Sequence, residues 1–137
     1  WEDGLKTLHG FTTNGFPNCF FLGFTQGAVT VNVPHALNEQ AKHISHLLAE
    51  VRTRGEHTVE ATPEGEQGWL DEVKRTSRFG ERFRAECTPG YYNNEGKPMS
   101  QSDTFNGSGH PGGPVAFFEF LDAWRQTGEF AGLTFTK

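Results

Sequence analysis

Short apolar runs set between glycine- and proline-bearing turns mark the early part of the chain. Cys19-Phe20-Phe21-Leu22-Gly23-Phe24 is continuous and apolar, and it lies between Gly15-Phe16-Pro17-Asn18 and Thr25-Gln26-Gly27. Such a run, with no polar alternation, predicts a strand covered on both faces and central in a sheet. The spacing then changes. Asn32 precedes Val33-Pro34, a cap followed by an early helical proline, and Leu37, Ala41, Ile44, Leu48 and Val51 recur at steps of three or four. That period predicts an amphipathic helix with those five side chains turned to the core. Arg52 and Arg54 suit its negative end, and Gly55 supplies a left-handed stop.

His57-Thr58-Val59-Glu60-Ala61 alternates as a short strand or extended connector. Thr62-Pro63-Glu64 then caps a second helix, with Trp69, Val73 and Thr76 along one side and charge on the other. From Phe79 to Gly113 the chain is mostly polar, and eight glycines and prolines between Pro89 and Gly112 break any long element. An irregular stretch of about 30 residues in a compact domain serves a site or packs on another domain. Pro114 opens a third helix, in which Phe117, Phe120, Leu121 and Trp124 form a wide apolar stripe that stops near Gly128. No internal repeat is present.

Composition narrows the class of protein. The 137 residues, 34% hydrophobic and 13% aromatic, suit one domain with one core and fit neither a disordered chain, nor collagen, nor a membrane bundle. No apolar run reaches the roughly 18 residues of a membrane span. Seventeen acids against twelve bases leave a formal charge of −5, which argues against nucleic acid or anionic lipid as a partner. Cys19 and Cys87 form no CxxC and read as free buried thiols rather than a disulfide or zinc site. Trp1 opens the chain with no signal-peptide pattern, so a cytoplasmic location is expected.

Several groups of residues invite a chemical reading. Gly107-Ser108-Gly109-His110-Pro111-Gly112 has the GxGxxG spacing and precedes a helix. It lacks the buried strand before it and the later acid that a dinucleotide turn needs, and Pro111 removes an amide, so it reads as a loop. His35, Glu39, His43 and His46 share one side of the first helix, but the HExxH order is absent, and they read as surface histidines with no metal site. Lys74, Arg75, Arg78, Arg82 and Arg84 interleave with Asp71, Glu72, Glu81 and Glu86 and read as a solvated face with ion pairs. The stretch from Asn18 to Pro34 stays open between two readings. It is an ordinary strand-loop-helix crossover, or a site where free amides and a positive helix end face an anion or an electron-rich ligand.

Two longer runs carry a resemblance. Leu8-His9-Gly10-Phe11-Thr12-Thr13-Asn14-Gly15-Phe16-Pro17-Asn18-Cys19-Phe20-Phe21-Leu22 and Glu86-Cys87-Thr88-Pro89-Gly90-Tyr91-Tyr92-Asn93-Asn94-Glu95-Gly96-Lys97 resemble the C-terminal part of Baeyer-Villiger monooxygenases. Glu39-Gln40, Trp69 and Trp124-Arg125 extend the likeness over most of the chain. The resemblance implies an α/β fragment, the C-terminal part of a Rossmann-like, two-domain flavoprotein that binds FAD and NADP. Residues 1–55 would complete the FAD-binding domain, and 56–137 would line the NADP and substrate sites.

By the same resemblance, Gln26, Val31, Asn32 and Val33 lie nearest the flavin or the substrate pocket, where a helix N-terminus would stabilise negative charge on the reduced ring. Tyr91, Asn93 and Lys97 fall in the family's loop near NADP. Thr88 stands where the family has tryptophan, and Tyr91 or Tyr92 offers a ring face in its place. The implied reaction inserts oxygen beside a ketone carbonyl, using O2 and NADPH, and yields an ester or lactone. The double-tyrosine run is similar to the branch acting on bulky cyclic ketones. The FAD and NADP fingerprints, FxGxxxHxxxW and the active-site arginine have no counterpart in these residues, so an N-terminal portion of a parent enzyme is expected as partner. No residue here is assigned as acid, base or nucleophile, and the chain alone is expected to be inactive. Two alternatives are a monooxygenase oxidising amine nitrogen or sulfur, and a free-standing protein-interaction module presenting its phenylalanines to a partner.

Overall fold

A computed structural model describes residues 4–76, 86–90, 95–97, 109–110 and 112–137. Among them are three helices and one two-stranded sheet, in the order α1 (Val33–Arg54), β1 (Thr58–Ala61), α2 (Pro63–Thr76), α3 (Gly113–Thr127) and β2 (Leu133–Thr136). This is an α/β arrangement. No helix among the described residues is long and apolar enough to cross a membrane.

The limits of α1 follow from local chemistry. The Asn32 side chain accepts from the His35 amide at 3.2 Å, and Pro34 costs no hydrogen bond so close to the helix start. Gly55 ends the helix at φ 68°, where its amide reaches the Arg52 carbonyl and the next amide reaches Val51. The buried face is a different matter. Ala36, Gln40, His43, Leu47 and Val51 point inward, while Leu37 and Leu48 are 40% and 43% exposed and Ala41 is exposed too. Of the predicted stripe only Val51 is fully buried, and Ile44 packs partly on the core. The helix is rotated by about one residue because two polar side chains find inward partners. Gln40 donates to the Gly23 carbonyl at 2.5 Å and accepts from the Gly23 amide at 3.1 Å, and His43 stacks on Phe11 at 4.8 Å.

The run from Cys19 to Phe24 forms no strand. Cys19, Phe20 and Phe21 are half-buried and Leu22 is 62% exposed. A strand covered on both faces needs a neighbour on each edge. The backbone bonds of this run include Phe21 N to the Phe11 carbonyl at 2.8 Å and Cys19 N to Phe16 at 3.1 Å, which make a turn rather than a ladder. The observed sheet is β1 paired antiparallel with β2, Val59 opposite Phe135 and Ala61 opposite Leu133.

The loop before it is tied to that sheet by polar side chains. Asn18 accepts from the Val59 amide through its side chain, donates its own amide to the Val59 carbonyl, and donates Nδ2 to His57. Buried Glu66 in α2 accepts from Thr13 Oγ1 at 2.7 Å and from the Asn14 amide at 2.6 Å.

Thr62 caps α2 by accepting from the Gly65 amide at 3.0 Å. Trp69 and Val73 face inward from α2, as Phe117 and Leu121 do from α3. With Leu8, Phe11, Ala28 and Ala61 they form one core, drawn from both sides of residue 55. Gly128, at φ 67°, stops α3. Neither cysteine is in a disulfide, but neither is buried as expected: Cys19 is half-buried and Cys87 exposed.

Candidate functional site

The segment 25–33 carries four of the residues singled out by sequence, and it divides into a held part and a free part. Gln26 has a left-handed backbone at φ 53° and is fully buried. Its Oε1 accepts from Thr7 Oγ1 at 2.5 Å, its Nε2 donates to the Leu5 carbonyl at 2.7 Å, and its own carbonyl accepts from Trp69 Nε1 at 2.9 Å. The side chain is therefore spent inside the chain. Ala28 is buried beside it. From Val29 onward the chain turns outward: Val29 is 62% exposed, Val31 wholly so, and Asn32 and Val33 are exposed at the helix start.

Those outward residues combine apolar surface with free polar capacity. The Asn32 side chain is committed to His35, and its amide donates to Thr30 Oγ1 at 3.2 Å. The Val33 amide opens the helix, where the first N–H groups have no intrahelical acceptor. Lys97 is exposed, two residues after Glu95, whose amide reaches the Gly90 carbonyl. Tyr91 and Asn93 lie outside the described residues, as do Arg78, Arg82 and Arg84 of the basic cluster.

Behind the segment lies an aromatic layer that spacing did not reveal. His9, left-handed at φ 56°, sits 5.0 Å from both Trp69 and Phe120, 5.4 Å from Trp124 and 6.1 Å from His43. Burial holds His9 down at a pKa of about 3. Burial does the same to His43, about 3, with the charges of His9, Arg125 and His46 adding to the effect. His43 is thus a core residue and not the surface histidine its helical spacing suggested. His110 lies flat over Trp69 at 6.1 Å; burial lowers its pKa and Glu72 opposes the shift. Among the described residues no three His, Cys, Asp or Glu side chains are placed to hold a metal ion. Nothing in the linear pattern marks Trp69 Nε1 as the donor to the Gln26 carbonyl, or the His110 amide as the donor to the Gly27 carbonyl, since each contact joins distant parts of the chain.

No protein-family profile matches the chain. Individual relatives do. Pentalenolactone D synthase of Streptomyces exfoliatus is 44% identical over 133 residues, 97% of this chain and 22% of the relative. A Baeyer-Villiger monooxygenase of Streptomyces coelicolor is 42% identical over 123 residues, 90% of this chain and 20% of that protein. In three dimensions the chain matches the polycyclic ketone monooxygenase of Thermothelomyces thermophila with a TM-score of 0.86 at 29% identity, covering 97% of this chain and 21% of that one. The chain is homologous to one section of the Baeyer-Villiger monooxygenases. It spans about a fifth of the length of these relatives.

Proposed function

We propose that the chain is the C-terminal part of an FAD- and NADPH-dependent Baeyer-Villiger monooxygenase that converts a cyclic or polycyclic ketone to an ester or lactone. One observation carries this reading: the likeness to such enzymes runs through nearly the whole chain in both sequence and fold. In this account residues 1–55 belong to a Rossmann-like FAD-binding domain and 56–137 line the NADP and ketone sites. The remaining N-terminal portion of the parent enzyme brings the dinucleotide turns.

The residues at the start of α1 fit the edge of a flavin. Val29 and Val31 offer exposed apolar surface to a flat ring, and the Val33 amide with the positive helix end offers a donor to a carbonyl edge that gains negative charge. Such a helix end contributes roughly 1 kcal/mol. When bound, FAD supplies the oxygen transfer and NADPH the reducing equivalents. The chain's own residues orient, contact and exclude water. Val31, Asn32 and Val33 act by direct contact, whereas Gln26 acts by holding the loop. Tyr91, Asn93 and Lys97 serve NADP, so Asn93→Ala weakens NADPH binding and leaves FAD content unchanged.

The affinity arithmetic yields a test. Micromolar binding needs about 8 kcal/mol, and one helix end gives about an eighth of that. The 137-residue chain alone is expected to elute from gel filtration without flavin absorbance after incubation with FAD. Joined in one polypeptide to the remaining part of the Streptomyces exfoliatus relative, it is expected to hold one FAD per chain. Stoichiometric FAD on the isolated chain would point instead to a compact flavin-binding module.

A further inference from the structure

The glycine run before α3 reads as a loop, yet its described residues do something specific. The His110 amide donates to the Gly27 carbonyl at 2.7 Å. A Cβ built on Gly109 would stand 2.7 Å from that same carbonyl oxygen, closer than any real Cβ contact and against backbone that cannot swing aside. Gly109 is not among the positive-φ residues, so the close approach, and not its backbone conformation, is what demands glycine there. Gly10, whose φ is 82°, makes a second close approach to the same segment. A Cβ on Gly10 would meet the Thr25 carbonyl at 2.7 Å, and Trp69 Nε1 reaches the Gln26 carbonyl between them at 2.9 Å.

The carbonyls of Gln26 and Gly27 therefore each accept a hydrogen bond from a distant part of the chain, the α2 ring of Trp69 and the Gly109-His110 strap, and the Thr25 carbonyl lies close against the loop at Gly10. Immediately after this gripped triplet the chain emerges into solvent at Val29. We propose that Gly109, His110 and Trp69 are positioning residues that clasp residues 25–27 and so aim the flavin-facing residues 29–33. The strap reaches the cofactor through Gly27 and makes no contact with it. This rests on the flavin reading of residues 29–33 given above. It also assigns a role to the GxGxxG-like run other than a phosphate cradle, since its described glycine at 109 faces another backbone and not open space.

Two substitutions separate the clasp from general stability. Gly109→Ala inserts one methyl against the Gly27 carbonyl. Gly68→Ala, on α2 with nothing within 4 Å of its Cβ, inserts one methyl into open space. Hydrogen exchange in the chain itself reads the clasp through the Trp69 indole N–H and the His110 amide, with the Leu47 and Val51 amides of α1 as internal reference. Flavin fluorescence in the chimera with the Streptomyces exfoliatus relative reads the consequence as an FAD dissociation constant. Gly109→Ala is expected to speed exchange at the two clasp hydrogens at least tenfold, leave the α1 amides unchanged, and weaken FAD at least tenfold. Gly68→Ala is expected to change none of these. If all amides speed up together in Gly109→Ala, the glycine serves stability alone and the proposal fails. If FAD affinity stays within twofold while the clasp opens, residues 29–33 are not aimed by it and the proposal also fails. A parent chimera that binds no FAD removes the flavin reading itself, which is a different result from an unaffected variant.

Discussion

Lowering the pH from 7.5 to 5 should cost the chain about 4 kcal/mol of stability through His9 and His43 alone. Both are neutral in the folded state, with pKa values held to about 3, against about 6.5 in an unfolded chain. The folded form thus binds fewer protons than the unfolded form between those values. Stability is complete above pH 6.5 and falls steadily as the pH drops toward 3, at up to 1.36 kcal/mol per unit and per histidine. At pH 5 that is about 2 kcal/mol for each ring. The surroundings offer no relief, because the neighbours of His43 that act on it electrostatically are His9, Arg125 and His46, all of the same sign. The rings around His9 are those of Trp69, Phe120 and Trp124.

Urea unfolding followed by circular dichroism at the two pH values reads the loss directly. His43→Leu removes one titrating ring while keeping an apolar body of similar size, and it should remove at least half of the pH dependence. A chain equally stable at pH 7.5 and pH 5 would mean that the two rings are hydrated in solution.

Trp69→Ala should be the most damaging single substitution, at about 3–5 kcal/mol. Trp69 is 5% exposed and touches His9, Phe117, Phe120 and His110, so its loss opens a cavity at the centre of the core. The Gln26 carbonyl also loses its buried donor. Against a typical domain stability of about 5–15 kcal/mol, a loss of that size is a large fraction of the total. Trp69→Phe keeps one aromatic ring but removes Nε1–H together with part of the indole, so it should cost less than Trp69→Ala and at least the about 1–2 kcal/mol of the orphaned carbonyl. Denaturation midpoints of the two variants give the partition, and a Trp69→Ala cost below 1 kcal/mol would contradict the packing described.

What could be read from the linear sequence was what is decided locally. The start of α1 at Asn32-Val33-Pro34 and its end at Gly55 follow from capping chemistry within a few residues. So do the caps at Thr62 and Gly128, and the inward faces of α2 and α3, whose apolar residues are large. The buried face of α1 was misread because a hydrophobic count cannot see that Gln40 would bond both backbone groups of Gly23, or that His43 would stack on Phe11. The run Cys19–Phe24 has the composition of a central strand, but strand formation depends on pairing, and its neighbour is the loop at Phe11. β2 went unread because four residues, Leu133–Thr136, carry too little pattern to separate from a loop; pairing with β1 across more than seventy positions makes the strand. At the candidate site, the exposed trio Val31, Asn32 and Val33 was accessible through resemblance. The inward fate of Gln26, and the grip on it by Trp69, could not be, because both arise only when distant segments meet.

The central claim is that these 137 residues complete a ketone-oxygenating enzyme, and the most direct measurement is product formation by the completed polypeptide. The chimera with the Streptomyces exfoliatus relative, loaded with FAD, is given NADPH, 18O2 and either cyclohexanone or a steroid ketone, and the products are weighed by mass spectrometry. The account predicts an ester or lactone carrying one 18O atom, with one NADPH consumed for each molecule formed. A soluble, FAD-loaded chimera that consumes NADPH yet yields neither labelled product would contradict it.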